Sequence, residues 1–129
     1  MSDQTSMPFS EFLGIEVVEV APERVVARLK VRPELCTVPA VMHGGAVMAL
    51  ADTLGGLATV ANLPEGQWTS TIESKTNFMA AVPEGDIATA VCTPLHRGKT
   101  TMVWQTKITR GDGRVAAYVT QTQLVFPAR

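Results

Sequence analysis

The sequence predicts an α+β fold in which one long helix packs on one antiparallel sheet. Three features predict this class: two strand-like segments, then a long and nearly uncharged helical segment, then four strand-like segments. Turn-forming residues separate the strand-like segments, so we expect hairpins rather than crossovers between parallel strands. The chain of 129 residues has the length of one domain, and we predict a single domain over residues 1–129.

The first two strands are predicted over residues 15–20 and 24–31. The second segment, RVVARLKV, alternates apolar and charged side chains from Val25 to Val31. This alternation is typical of an antiparallel strand with one buried face. The intervening residues, Ala21-Pro22-Glu23, have the composition of a turn.

The central helix is predicted over residues 45–60, within the segment VMHGGAVMALADTLGGLATVA. It is apolar on almost every side, and its one charged residue is Asp52. A helix that is apolar all round is usually buried all round, yet one six-stranded sheet can cover it only in part. We therefore expect a second copy of the chain to cover the remaining side, in a homodimer or a homotetramer.

Four further strands are predicted over residues 69–79, 86–96, 100–109 and 114–125, which are rich in threonine, valine and isoleucine. The connections between them have turn compositions, namely Val82-Pro83-Glu84-Gly85, Arg97-Gly98-Lys99 and Arg110-Gly111-Asp112-Gly113. The last three strands are therefore expected to form a meander of hairpins.

Composition limits the partners that the chain can attract through its overall charge. The formal net charge is -1, so no global field attracts nucleic acid or a membrane surface, and we expect neither partner. The sparsely charged stretch from Cys36 to Leu63 contains His43, Asp52, several glycines and a proline, which argues against a membrane span. Any anionic ligand must be held by a local group of basic residues.

The N-terminus and the cysteines favour a cytoplasmic protein. The first residues, MSDQTSMPFSEF, lack the basic region and apolar core of a secretory signal. Cys36 and Cys92 are far apart in sequence and have no metal-ligand spacing, so we expect no metal site. Two free thiols in a chain of this size fit the reducing cytoplasm.

Asp52 stands alone on the most hydrophobic segment, and two interpretations are open. A buried carboxylate without a partner is costly, so Asp52 either faces solvent or pairs with a basic residue such as Lys75 or Arg97. Alternatively, Asp52 is a catalytic carboxylate. At about 100° per residue, the helix face around it carries mostly small residues, namely Gly45, Met48, Ala49, Gly55, Gly56 and Thr59.

The segment His43-Gly44-Gly45 marks the start of this helix. Glycine is common there, and a histidine can simply cap the helix. The same arrangement can hold a developing oxyanion, because the first N–H groups of a helix have no partner within it and no side chain blocks them. Asp52 lies about two and a half turns further along. A second subunit or a bent substrate would have to bring Asp52 to the same atom.

The sequence resembles the hotdog-fold acyl-CoA thioesterases of the phenylacetic-acid-degradation type, in the 4-hydroxybenzoyl-CoA thioesterase superfamily. The resemblance begins with HGGAVMALADTLGG and continues through TNFMAAVPEGD, LHRGKTTMVWQTKIT and GDGRVAAYVTQTQLV. It spans the chain from about Phe9 to Phe126. The combination of HGG, an acid nine residues after the histidine, and a late HRGK is specific, whereas each motif alone is weak.

The resemblance implies an enzyme that hydrolyses acyl-CoA thioesters, with sites at a dimer interface and no cofactor apart from the coenzyme A of the substrate. Asp52 matches the catalytic carboxylate, acting as nucleophile or as the base that activates water. The Gly44 N–H matches the group that polarises the thioester carbonyl, and His43 matches the histidine that helps to place that loop. The implied substrate and coenzyme A contacts are Thr37, Gly45, Asn77, Phe78, Arg97, Gly98, Lys99 and Thr100.

The HRGKT segment, residues 96–100, also has a plain interpretation as a solvated basic turn. As a functional element it would be a charged clamp for phosphates, with glycine allowing the ligand to approach the backbone. The acyl group is not identified by the sequence, but we expect the site walls to include residues such as Met48, Leu54, Trp68, Phe78 and Met79.

The sequence departs from the family pattern at four positions. Relatives usually carry asparagine or glutamine at Thr37, glycine at Ala40, serine or threonine at Gly56 and a basic residue at Ala80. These differences leave the acid and the oxyanion site intact, but they bear on rate, substrate choice and the grip on coenzyme A.

Three other functions remain open on the sequence. One is a hotdog hydratase or dehydratase, although its His-Phe and Pro-Gly surroundings are absent. Another is a non-catalytic acyl-CoA-binding protein, for which Thr37 and Gly56 would mark lost activity. The weakest is a cysteine nucleophile built from Cys36, His43 and Asp52, because no motif supports Cys36.

Overall fold

A computed structural model describes residues 7–128 and places one long helix against a six-stranded antiparallel sheet. The helices are α1 (Pro8–Leu13) and α2 (Gly44–Val60). The strands are β1 (Glu16–Ala21), β2 (Arg24–Lys30), β3 (Cys36–Thr37), β4 (Val41–Met42), β5 (Trp68–Phe78), β6 (Ile87–Arg97), β7 (Thr101–Thr109) and β8 (Val115–Phe126). Residues 1–6, which belong to the segment predicted to lack a secretory signal, and Arg129 lie outside the described range.

The predicted α+β class is confirmed, and the seven predicted helix and strand segments end within one residue of the observed ones. The short elements were missed: α1, a 3-10 turn at Pro33–Leu35 and the β3–β4 hairpin. Helix α1 begins at a proline and ends at Gly14, which has a φ of 87°. Both residues are ordinary helix boundary signals, but the helix is too short to show a period.

The large sheet has the strand order β1-β2-β6-β7-β8-β5. Strand β5 therefore lies at one edge, paired with β8 from Trp68 opposite Phe126 to Phe78 opposite Ala117. A bulge at Ile72 interrupts this register. The bulge adds one residue to β5. The residues before it therefore face the opposite side of the sheet from the one that strict alternation with the residues after it would give them.

Helix α2 packs on one face of this sheet. Its core-facing side chains are fully or almost fully buried, namely Ala46, Val47, Leu50, Ala51, Leu54 and Ala58. They lie against apolar side chains of the sheet that include Trp104, Ile108 and Val119. Burying each leucine contributes about 1.5–3 kcal/mol, so this side fixes the helix to the sheet.

The opposite side of α2 is uncovered in the single chain. Met48 is 39% exposed and Val60 is 58% exposed, and Asp52 lies on the same open side. The prediction that one sheet covers the helix only in part is therefore correct. None of the helices within residues 7–128 combines the length and the apolar character that a membrane crossing requires.

Polar side chains also anchor α2 to the sheet. The Gln121 amide donates to the Ala51 carbonyl at 2.8 Å, directly beside Gly55. The Trp104 indole N–H donates to the Thr59 hydroxyl at 2.9 Å. Because the side chains of Gln121, Trp104 and Thr59 are fully buried, these hydrogen bonds satisfy groups that would otherwise be costly to bury.

Gly55→Ala is expected to lower the free energy of unfolding by about 1–3 kcal/mol, the usual cost of overpacking a core. The added methyl group would overlap the Gln121 amide and break its bond to the helix. The matched control is Gly56→Ala, where a methyl group meets no atom within 4 Å. That change should stabilise the helix by up to about 1 kcal/mol through propensity alone. Urea denaturation of the two variants checks the prediction, which equal midpoints would contradict.

Candidate active site

The N-terminus of α2 presents one backbone donor that the described chain leaves without an acceptor. The His43 ring caps the helix, because its Nδ1 accepts from the Gly45 N–H at 2.7 Å. The Ala46 and Val47 N–H groups donate to the His43 carbonyl at 2.9 and 3.2 Å. Within residues 7–128 the Gly44 N–H has no such bond. Histidine capping thus leaves Gly44 as the donor available to a ligand.

Gly44 lies at a mostly apolar cavity of about 420 Å³. A side chain at Gly44 would approach the Phe78 ring to 3.2 Å, so glycine lets this ring lie close to the helix start. The remaining walls come from the β4 end of the hairpin, α2, the segment after β5 and β8, namely Val41, Met42, Val47, Met79, Ala80, Ala81, Val82 and Ala116. Two of the predicted wall residues, Phe78 and Met79, therefore do lie beside Gly44.

The prediction that Leu54 lines the site is wrong, because its side chain is completely buried in the core. Trp68 stacks on Phe126 with ring centroids 3.9 Å apart, at the opposite end of β5 from Phe78. It therefore does not line the cavity beside Gly44. Met48 lies on the open side of α2, next to Asp52 along the helix.

Asp52 is exposed, and its Oδ1 accepts from the Thr71 hydroxyl of β5 at 2.7 Å. No ion pair joins Asp52 to Lys75 or Arg97 within residues 7–128. The expectation of a basic partner is therefore not met, whereas the expectation of a solvent-facing carboxylate is. Sequence reasoning missed Thr71, because its position relative to α2 depends on the register of β5 with β8 and on the bulge at Ile72.

Gly44 and Asp52 both belong to α2 but lie about 80° apart around its axis and at different heights. They are eight residues apart, which separates them by about 12 Å along the helix axis. One carbonyl group cannot contact both in a single chain. For both groups to contact one carbonyl group, one of them would have to come from a second copy.

Thr37 lies in the β3–β4 hairpin that leads into His43, and its side chain is exposed. Ala40 in the same hairpin has a φ of 57°. This left-handed conformation favours glycine over alanine. Asn77 is exposed on β5, directly before Phe78 and opposite Tyr118.

The HRGKT segment forms the turn between β6 and β7, at the far end of α2 from Gly44. Arg97, Gly98 and Lys99 line a groove of about 630 Å³ together with Asn62, Leu63, Pro64, Gln67 and Met102. Gly98 is required there, because a side chain would lie 2.6 Å from His96 Nε2 and 2.9 Å from the Thr101 carbonyl oxygen.

Arg97 is held at the rim of this groove. Its Nη1 donates to the Pro22 carbonyl at 3.3 Å and to Asn62 Oδ1 at 3.4 Å. Both bonds are long and exposed, so the guanidinium keeps donors for a ligand. Lys99 is exposed, and Thr100 is exposed in the turn but does not line the groove.

The cysteines are not activated as nucleophiles. Partial burial, followed by the nearby carboxylates of Glu84 and Glu34, raises the pKa of Cys36. Burial raises the pKa of Cys92 to about 11. A nucleophilic cysteine needs a lowered pKa, and His43 already accepts from Gly45. The structure therefore argues against the Cys36 hypothesis.

Comparison with known proteins gives a family for this arrangement. The family model described as the Thioesterase superfamily matches residues 40–117. A Mycobacterium tuberculosis protein provisionally named an esterase is 31% identical over 115 residues, covering 87% of this chain and 81% of that protein. Its solved structure has a TM-score of 0.90 and covers 95% of this chain and 99% of that chain.

Two further proteins extend the likeness. The proofreading thioesterase EntH of Cronobacter turicensis is 33% identical over 104 residues, covering 81% of this chain and 75% of that protein. A hypothetical thioesterase of Streptococcus pneumoniae, solved with coenzyme A, is 28% identical with a TM-score of 0.82, covering 90% of this chain and 88% of that one. The chain belongs to the thioesterase superfamily, and it is a thioester hydrolase with the hotdog fold.

Proposed function

We propose that this chain hydrolyses acyl-CoA thioesters, releasing the free acid and coenzyme A. The observation that carries the proposal is the Gly44 N–H, which has no acceptor within residues 7–128 while its helix neighbours are satisfied. An open donor at the positive end of a helix dipole suits the oxyanion that forms when a thioester carbonyl is attacked. The coenzyme A in the Streptococcus pneumoniae structure supports the choice of thiol.

Asp52 supplies the attacking group in either of two ways. As a general base it accepts a proton from water, and the water oxygen bonds to the carbonyl carbon. As a nucleophile its own oxygen forms that bond, and water then hydrolyses the resulting anhydride. In both routes the carbon–sulfur bond breaks, and the coenzyme A thiolate leaves and is protonated. Neither route needs a cofactor beyond the substrate.

The cavity beside Gly44 is the proposed acyl site. Its walls are mostly aliphatic, with the Phe78 ring on one side. Such walls favour an apolar acyl group, because burying its surface is favourable and no charged side chain of the described residues lines the cavity.

We propose a homodimer, or a tetramer of two such dimers, in which each site combines Gly44 of one subunit with Asp52 of the other. Strand β5 offers a long sheet edge with exposed Trp68, Ile72 and Phe78 along it. Such an edge pairs readily with another strand. Antiparallel pairing about a two-fold axis would bring the start of one α2 towards the middle of the other. Light scattering should therefore give at least twice the chain mass of 13.8 kDa.

This pairing would also carry the HRGKT turn of one subunit towards the Gly44 cavity of the other. We propose Arg97, Gly98 and Lys99 as the clamp for the phosphates of coenzyme A. The free thiols of Cys36 and Cys92 support a cytoplasmic location, as proposed from the sequence.

Changing both Arg97 and Lys99 to alanine is expected to raise KM for acyl-CoA about ten- to a hundredfold and to leave kcat within about twofold. Phosphate contacts bind substrate and transition state alike, so their loss affects binding. The control substrate is the same acyl group on N-acetylcysteamine, which lacks the nucleotide. Equal impairment on both substrates would show that the turn supports the fold or the acyl site instead.

The proposed function is tested by coenzyme A release from a panel of acyl-CoA thioesters, from acetyl to long-chain and aryl, followed with a thiol-trapping dye. We expect turnover, with kcat/KM highest for an apolar acyl group that fits the cavity. Binding of the whole panel without turnover would instead favour a non-catalytic acyl-CoA-binding protein. Turnover of enoyl-CoA by addition of water would favour a hydratase.

A further inference from the structure

The carboxylate of Asp52 is the exposed end of a series of hydrogen bonds that runs over the α2-facing side of β5 and β8 and becomes buried at Gln121 and Gln123. Thr71 donates its hydroxyl proton to Asp52 Oδ1 at 2.7 Å and accepts from Gln123 Nε2 at 2.5 Å. Gln123 Nε2 also donates to Gln121 Oε1 at 2.7 Å. Gln121 Nε2 in turn donates to the Ala51 carbonyl at 2.8 Å. This series of hydrogen bonds thus begins at Asp52 and ends at Ala51, which are neighbouring residues of α2.

The direction of every bond in this series follows from its last member. A backbone carbonyl can only accept, so the Gln121 amide nitrogen must face Ala51 and its oxygen must face Gln123. The Gln123 nitrogen is then turned towards Gln121 and Thr71. Its oxygen is turned away and accepts from the Thr69 hydroxyl at 2.9 Å. Thr71 must therefore accept from Gln123, and its single proton is left for Asp52.

Burial keeps this series of hydrogen bonds from rearranging. Gln121 is completely buried and Gln123 is 1% exposed, so water cannot readily exchange for either amide. Gly55 makes the room in which the Gln121 amide lies. A polar network whose central amides are buried and hydrogen-bonded holds those amides in one arrangement.

We infer that Thr71 is a positioning residue for Asp52, with the direction of its hydroxyl proton set by Gln121 and Gln123. The inference rests on the function proposed above, because it assigns a purpose to the Asp52 contact. Thr71 fixes Oδ1, so Oδ2 is the oxygen that attacks or accepts the proton from water. The hydroxyl that meets Asp52 thus comes from β5 and not from α2 itself.

Thr71→Val is the first test, since valine keeps the shape and the strand preference of threonine but has no hydroxyl. We expect kcat to fall about ten- to a hundredfold, the scale of misplacing a reacting group or losing a hydrogen bond to a charge. KM should change less than twofold, because Thr71 is not proposed to touch the substrate. Thr71→Ser restores the hydroxyl and should restore kcat to within about threefold. A merely structural role would move melting temperature without this split.

Thr76→Val is the matched control on the same face of β5. Its hydroxyl is buried and has no hydrogen-bond partner within the described residues. The same substitution there should leave kcat and KM unchanged. Gln123→Met removes the amide that orients Thr71 and should lower kcat in the same direction as Thr71→Val. Should Thr71→Val melt too low to assay, Thr71→Ala takes its place beside Thr71→Ser.

The outcomes separate this inference from the proposed function. If the wild type releases no coenzyme A from the panel, the proposed function fails; if Asp52→Asn retains wild-type turnover, the function stands but Asp52 has no part in it, and the inference fails. If Asp52→Asn is inactive but folded Thr71→Val keeps kcat within twofold, only the inference is overturned. It is equally overturned if Thr71→Ser is as impaired as Thr71→Val, or if Gln123→Met has the kcat of the wild type.

Discussion

Asp52→Asn is expected to lower kcat by at least a hundredfold while leaving the fold intact. Asparagine keeps the shape of the side chain and can still accept from the Thr71 hydroxyl, but it can neither take a proton from water nor form an anhydride. The loss of a general base or nucleophile is typically worth two orders of magnitude or more in rate. The measurement is steady-state hydrolysis of the best acyl-CoA from the panel.

Stability should change little in this variant, because Asp52 is exposed and forms no ion pair within the described residues. Thermal unfolding checks that point. Near-normal turnover in a folded Asp52→Asn protein would remove Asp52 from the chemistry. The family membership would stand, since it does not depend on this residue.

The α2 helix shows how much of this protein could be predicted from the sequence. Its ends were predictable because His43-Gly44 and Asn62-Leu63-Pro64 are local start and stop signals that act within a few residues. Its partial burial was predictable because one sheet can cover a helix on one side only. The placement of Leu54 in the site was wrong for an equally simple reason: residues two apart on a helix project to opposite sides, so Asp52 and Leu54 cannot both face one ligand.

The partners of the site residues could not be predicted, because they depend on strand register. Thr71 reaches Asp52 only because β5 pairs with β8 in one register and bulges at Ile72. Without the bulge, the β5 residues on one side of Ile72 would face the opposite side of the sheet. Four hydroxyl residues of β5, namely Thr69, Thr71, Ser74 and Thr76, lie on its less exposed face, so the local sequence does not reveal which hydroxyl meets Asp52.

The role proposed for Gly44 depends on a backbone group rather than on a side chain. Helix geometry alone does not distinguish the Gly44 N–H from those of Gly45 and Ala46, and the sequence pointed to Gly44 only through the family resemblance. The structure separates them, because the His43 ring and carbonyl occupy the latter two. The role proposed for His43 is therefore indirect. It accepts the hydrogen bonds of the neighbouring N–H groups, so that the Gly44 N–H is left for the substrate.

Gly44→Pro is expected to lower kcat about a hundred- to a thousandfold, the usual effect of removing one oxyanion donor. Proline removes the N–H of this residue, and the first helical position is where helices tolerate it best. His43 already has φ of -62° and ψ of 138°, which is the conformation required before a proline. The helix should therefore form as before, and its amide signal by circular dichroism should be unchanged.

Gly44→Ala is the matched control for this change. It adds a methyl group near the Phe78 ring, as proline does, but keeps the N–H. We expect alanine to lower kcat far less than proline. If both variants lose activity equally, the cause is the crowding of Phe78, and Gly44 would not be the oxyanion donor.

Mixing inactive subunits tests whether Gly44 and Asp52 act across two chains. A Gly44→Pro subunit keeps Asp52, and an Asp52→Asn subunit keeps the Gly44 N–H. If each site takes one group from each subunit, a mixed dimer contains one site with both groups intact. Reassembly of the two variants from denaturant should then restore up to about a quarter of wild-type activity, since half the dimers are mixed and each has one competent site of two. If the groups act within one chain, every mixed dimer has two defective sites, and the mixture should stay as inactive as its parts.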